Sequence, residues 1–319
     1  MRLVAIKFLI LLMSSFLLAD YAGGYPGSIL RHGVSARDIA LSGATIASYE
    51  DGFTAFSNPA MIAMKKELTI GSSLFFLPNK INMQAFSIGR NLPPNAGASL
   101  SLIHLGTSNI LAINQNEEFL EEISFHDSYA MISFGINFSQ YFSIGMSAKM
   151  LFQRYNLSSN DKISSDGISL DLGILSSITE NLDIGIKIDN FSGHYKWGEN
   201  KNIIPMRIIS GISYFPSESI LVTFQHEMID LNKNLLSNRF SGAAEYKFNY
   251  KNPVFLRFGV KQVSWAIINN EEKELLVQPT AGLGLEFESF NKSIFKLDYA
   301  LELNRLGVTN LISLAIKLK

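Results

Sequence analysis

The chain has 319 residues, no cysteine, and a formal net charge of −1 from 27 Lys and Arg against 28 Asp and Glu. Basic residues scattered at near-neutral balance leave no footprint for nucleic acid, and the missing thiols exclude a disulfide framework and a lipid-modified cysteine anchor. At 47% hydrophobic and 17% charged the sequence is apolar for a soluble protein, yet beyond the N-terminus no run approaches the roughly 18–20 residues of a membrane-spanning helix.

The chain opens with the basic stretch Met1-Arg2-Leu3-Val4-Ala5-Ile6-Lys7, an apolar run from Phe8 to Leu18, and Ala19-Asp20. That order of a positive region, a short apolar core and a small residue reads as a signal peptide over residues 1–19. Residues 20–66 follow without strand periodicity. They contain Gly33, Ala36, Arg37, Ala40, Gly43 and Ala44, then Asp51 and Ala55, then Asn58-Pro59-Ala60. Asn58-Pro59 suits a turn, because proline holds the residue before it extended, and Gly33 and Gly43 permit tight backbone paths.

From Glu67 to Lys319 the chain repeats one unit, about ten residues alternating apolar with small or polar, followed by a turn. Phe142, Ile144, Met146, Ala148 and Met150 share one parity, against Ser143, Gly145, Ser147 and Lys149 on the other. Fourteen strands are predicted, near residues 67–77, 81–90, 95–105, 127–138, 141–155, 165–176, 181–191, 205–215, 218–228, 238–249, 253–264, 276–288, 292–302 and 308–318. Alternate connections are short, such as Ser139-Gln140 and Thr179-Glu180, and most of the others are long and polar, such as Gly106 to His126 and Ser192 to Ile204. An even strand number with short turns at one end and long loops at the other predicts an all-β transmembrane antiparallel barrel in a bacterial outer membrane.

The inward parity carries Lys149, Asp171, Lys187, Arg207, Glu245, Arg257, Glu286, Lys296 and Asp298. Facing lipid at mid-depth, a lysine or arginine costs roughly 2–4 kcal/mol, so these are expected to line the lumen. Inward glycines, among them Gly135, Gly145, Gly173, Gly185 and Gly211, leave room for another segment against the wall. The five histidines stand far apart, without metal-ligand spacing, and the carboxylates follow from strand alternation alone. No cofactor, metal or enzymatic activity is expected. Trp197 and Trp265 are expected in an aromatic girdle near the outer strand ends.

The run from Gly33 to Ala60 resembles that of the PorV/PorQ family, within the wider FadL-like group of outer-membrane barrels. Its pattern is matched at Gly33, Ala36, Arg37, Gly43, Ala44, Asp51, Asn58, Pro59 and Ala60, while Ser42 stands where glycine is more usual. Ser169-Leu170-Asp171-Leu172-Gly173 and Ile204-Pro205-Met206-Arg207 look like later family elements, whereas the ending Leu318-Lys319 departs from the common aromatic terminus. The resemblance implies that residues 20–66 form a plug in the lumen. It further implies a non-enzymatic barrel acting with secretion-system or exported proteins in protein secretion or surface attachment. The alternative is a FadL-like transporter that passes hydrophobic small molecules through a side opening. Outer-membrane lipids are partners under either reading.

Overall fold

The computed structural model describes residues 25–64, 67–113, 119–157, 162–232, 235–268, 272–289, 293–304 and 307–318. The expected signal peptide lies outside these residues. The strands are β1 (Leu68–Phe76), β2 (Asn82–Leu92), β3 (Ala96–Ile113), β4 (Phe119–Ser139), β5 (Phe142–Leu157), β6 (Lys162–Thr179), β7 (Leu182–Asp189) and β8 (His194–Trp197). They continue with β9 (Asn200–Ile203), β10 (Arg207–Ser217), β11 (Ile220–Asn232), β12 (Leu235–Phe248), β13 (Val254–Ile268), β14 (Glu272–Glu288), β15 (Ile294–Asn304) and β16 (Gly307–Leu318). All pair antiparallel with their neighbours, and β1 pairs with β16, so that every strand except β8 and β9 belongs to a closed fourteen-strand barrel. Closure leaves each of the fourteen barrel strands paired on both sides as far as β7 extends.

Alternation along each strand is inverted relative to a soluble protein. On β5, Ile144, Met146 and Met150 are 37%, 48% and 58% exposed on the outside, whereas Ser143, Ser147 and Lys149 are 2%, 0% and 4% exposed. The outward row from Phe142 to Phe152, at ~3.3 Å per residue and ~40° of tilt, is a belt roughly 25 Å tall.

Strand positions follow the predicted ones, but several strands are longer. Much of the predicted loop from Gly106 to His126 is β3 and β4, and β11 and β12 run to Asn232 and from Leu235. Above the belt, outward residues are free to be polar, so the apolar/polar contrast that marks a strand disappears while the backbone ladder continues. Residues 192–204, predicted as a loop, hold the hairpin β8–β9. It pairs with β6 through Asp166–Lys196, Gly167–Tyr195 and Ile168–His194, beyond the point where β7 stops.

Residues 25–64 lie inside the barrel as short helical turns, including α1 (Ala36–Ala40) and α2 (Thr54–Ser57). Ser35 caps α1 by accepting a hydrogen bond from the Asp38 amide at 3.0 Å. The segment is tied to the wall where Ser73 Oγ donates to the Val34 carbonyl at 2.6 Å, the Ala36 amide donates to Ser313 Oγ at 3.1 Å, and Thr280 Oγ1 donates to the Ala40 carbonyl at 2.9 Å.

Candidate functional site: the barrel interior

The Asn58-Pro59-Ala60 turn rests on a glycine floor. Asn58 is fully buried; its Nδ2 donates to the carbonyls of Ile46 (3.1 Å) and Ile174 (3.0 Å), and its Oδ1 accepts from the Ala60 amide at 3.1 Å. A Cβ added at Gly145 would stand 2.3 Å from the Pro59 carbonyl carbon, and one at Gly173 would stand 2.1 Å from Asn58 Oδ1. Only glycine lets the two backbones approach so closely. Gly185 makes the same approach to the Ile46 backbone, and Gly211 leaves room for the Ile46 side chain. Gly33 sits tightly against Asp38 and Ile39 of the segment itself, whereas Gly284 faces Asp298 and Arg257 rather than the segment. Gly43 turns the chain with φ +77°, and Ser42 before it holds φ +55° while its hydroxyl hydrogen-bonds Thr280 Oγ1 at 2.8 Å. That wall contact accounts for a serine at a left-handed position where glycine is easier. Ala36, Ala44 and Ala60 are buried, and Asp51 is half-buried just after Glu50.

Arg37 ties the segment to the barrel through a bidentate pair. Its Nε and Nη2 donate to Glu245 of β12 at 3.0 and 3.1 Å, and Nη2 also reaches Ser48 Oγ at 2.8 Å. Glu245 also accepts from Arg257 of β13, whose Nη1 reaches Asp298 of β15 at 2.7 Å. The buried carboxylate next to this chain is Glu50, which accepts from Ser35 Oγ at 2.7 Å. Burial pushes its carboxyl up to about 7, opposed by nearby Arg37. Raised above the ordinary 4.5, this group contributes stability that is fully present below about pH 4.5 and lost as pH rises through about 7. Glu50→Gln is therefore expected to flatten the stability profile in that window, read by thermal unfolding of the detergent-solubilised barrel. An unchanged slope would assign the titration to another group.

A second network lies across the lumen. Lys149 of β5 donates to Asp189 of β7 at 2.8 Å and pairs with Asp171 of β6 at 2.8 Å, while Lys187 lies 3.4 Å from both carboxylates. Arg207 of β10 binds Asp189 through Nε at 3.0 Å and through Nη2, and Nη2 also donates to the Leu30 carbonyl at 3.1 Å. Lys187 Nζ donates to the Phe56 carbonyl at 2.9 Å. Thus the charges of the wall also hold the segment. Glu286 and Lys296 are half-buried register partners on β14 and β15, and Lys296 Nζ lies 4.4 Å from the centre of the Phe255 ring.

Alternation alone did not reveal the apolar part of the interior. At one level the inward positions are Leu311, Phe75, Met83, Ile103, Tyr129 and Leu151, joined by Tyr195 from the hairpin, all buried and packed with Ile29, Leu30, Val34 and Ile39 of the segment. Nearer the long-connection end, the Phe125, Tyr155 and Trp197 rings form a row with centroids 4.6 and 5.7 Å apart. Trp197 packs against this internal cluster rather than standing in an outer girdle; the Trp265 side chain lies outside the described residues. The signal available in the sequence was the apolar residue on the polar parity of its strand, as at Met83 and Leu151.

Two cavities adjoin these surfaces. One of about 90 Å³, lined by Lys149, Lys187, Arg207, Glu227 and Arg239 together with His32 and Gly43, lies between the segment and the charged wall. A larger one of about 500 Å³ lies where β7 ends and β10 begins, lined by Phe191, Ile203, Ile204, Pro205, Met206 and Tyr25 among others. Among the described residues β9 pairs with β8 alone, so the sheet ends at that place. Among the described residues no group of three or more His, Asp or Glu could hold a metal ion.

No family model and no curated protein matches this sequence. Solved structures do share the architecture. The Pseudomonas putida toluene transporter TodX superposes with a TM-score of 0.63 at 15% identity, covering 90% of this chain and 97% of its own. The CymD monoaromatic hydrocarbon channel gives 0.62 at 13%, covering 89% and 96%. A Pseudomonas aeruginosa FadL homologue gives 0.61 at 9%, covering 89% and 98%. At such identities the likeness establishes the fold. It also corrects the expectation of a PorV/PorQ-type protein of secretion or surface attachment, because the neighbours are hydrocarbon channels and a FadL homologue. Arg37, Asn58 and Pro59 are used here for packing a segment against a barrel wall, and Gly33 for a tight path within that segment. Any barrel holding such a segment needs that packing, so the motif does not single out a secretion role. The closed barrel and its outward apolar belt place the protein in the bacterial outer membrane.

Proposed function

We propose that this protein is a non-enzymatic, FadL-like transporter of small hydrophobic molecules that crosses the outer membrane with its fourteen strands. Residues 1–19 serve as the export signal, residues 20–66 as a plug, and residues 67–319 as the barrel. The observation that carries the reading is the apolar and aromatic inner wall, from Phe75 and Met83 through Leu151 to Tyr195 and the Phe125–Tyr155–Trp197 row. A lumen conducting polar solutes is lined by polar groups. The Arg37 and Arg207 contacts hold the plug across the straight path, so a molecule leaves sideways, through the 500 Å³ cavity at the β7–β10 interruption. Neighbouring structures named for toluene and monoaromatic hydrocarbons support the choice of substrate class.

Uptake of labelled toluene by cells carrying the protein tests this directly. The double variant Tyr155→Ala/Trp197→Ala removes two aromatic contacts worth about 0.5–1.5 kcal/mol each, so hydrocarbon uptake at limiting concentration is expected to fall about tenfold. Uptake that neither depends on the protein nor changes in the variant would refute the proposal.

A further inference from the structure

Among the described residues, the outward cations above the apolar belt gather on one side of the barrel. On β3 to β9 the outward parity is apolar up to Leu102, Ala130, Phe152 and Ile168, and above that level it carries His104, His126, Arg154 and Lys162, together with the carboxylates of Glu122 and Asp166. The hairpin adds Lys196 and Lys201, which face each other across the β8–β9 ladder. Arg154, Lys162, Lys196 and Lys201 are all exposed, and no ion pair among the described residues involves them. They are close to one another. Arg154 is the register partner of Ser164, two residues from Lys162, and Lys196 is the partner of Asp166, an outward carboxylate of the patch. The stacked rings of His104 and His126, 5.5 Å apart, border it. Around the rest of the barrel the described outward strand residues above the belt include Gln84, Asn310, Asn238 and Asp230, which are neutral or acidic.

Cations on the lipid-facing side, immediately above an apolar belt, stand at the level of lipid headgroups rather than in the lumen or at the loop tips. Their long stems lie along the apolar surface while the charged ends reach the interface. The compact cluster with donors on four adjacent strands fits a phosphate, which accepts several charge-assisted hydrogen bonds at once. Resting on the membrane-spanning reading above, we infer that the β5–β6–β8–β9 face is a binding surface for the phosphate-bearing headgroups of outer-leaflet lipids. The hairpin that occupies the place of β7 is thereby held by lipid from outside, next to the cavity at the β7–β10 interruption.

The test compares the wild type with Arg154→Gln/Lys196→Gln/Lys201→Gln, both reconstituted and both checked for heat-modifiable folding, which reads membrane insertion separately from lipid binding. A bisphosphorylated glycolipid and its dephosphorylated form are titrated into each protein, and bound lipid is counted by native mass spectrometry. Each cation at a lipid surface contributes about fivefold, so the triple variant is expected to bind the phosphorylated lipid about a hundredfold more weakly while folding normally. Equal binding by both proteins, or binding indifferent to the phosphates, overturns the inference. Displacement by millimolar inorganic phosphate alone would assign the cluster to free phosphate and overturn the lipid assignment. Lys80→Gln, in the tip between β1 and β2, serves as a control expected to leave lipid binding unchanged.

Discussion

Asp189→Ala is expected to destabilise the barrel by about 3–5 kcal/mol, because removing one partner of a buried ion cluster leaves the others uncompensated. Asp189 is fully buried and accepts from Lys149 at 2.8 Å and Arg207 Nε at 3.0 Å, with Lys187 at 3.4 Å. Without it, three buried cations share Asp171 and Glu227, and Arg207 loses the oxygen that accepts from both its Nε and its Nη2. Denaturant unfolding in detergent measures the change. Because Arg207 also holds the Leu30 carbonyl and Lys187 the Phe56 carbonyl, the variant is expected to expose residues 25–64 to protease before the strands unfold. An unfolding free energy within about 1 kcal/mol of wild type would show that the cluster relaxes by admitting water.

Gly145→Val is expected to detach the N-terminal segment while leaving the strands paired. The added Cβ falls 2.3–2.5 Å from backbone atoms of Pro59 and Ala60, and backbone cannot swing aside as a side chain does. Overpacking of this kind costs about 1–3 kcal/mol, which multiplies the population with the segment detached by about 5- to 150-fold. Planar-bilayer recordings should then show openings rare or absent in the wild type. Gly242→Ala makes a fair control, since its Cβ meets only the Thr223 carbonyl oxygen, at 3.7 Å. If Gly145→Val and Gly242→Ala conduct alike, the segment does not close the lumen.

The residues that made the barrel legible are those facing outward. Ile144, Met146 and Met150 alternate with Ser143, Ser147 and Lys149 because an apolar exterior and a polar lumen demand opposite side chains. The contrast fades where neither demand acts, which is why the outer reaches of β3 and β4 and the whole β8–β9 hairpin read as loop. The inward charges were likewise visible by parity, but their partners were not. Nothing in spacing indicates that Arg37 meets Glu245, 208 residues away, or that Arg207 reaches Leu30. The aromatic residues misled in the opposite sense: Trp197, near a strand end, fits a girdle by position, yet the hairpin turns it inward against Tyr155.

Sequence by itself determined the all-β class, the number of barrel strands, the face of each of them and the presence of a non-strand N-terminal segment. Each of these depends on a period of two or on local turn chemistry, which neighbouring residues carry. Tertiary structure alone decided where that segment lies, which charges pair across the lumen, and that the outer interior is apolar and aromatic. It also decided that the wall is interrupted at β7 beside a patch of outward cations. Those features arise from residues brought together by barrel closure, whose register is set by ladders between strands and has no counterpart in the spacing of residues along the chain.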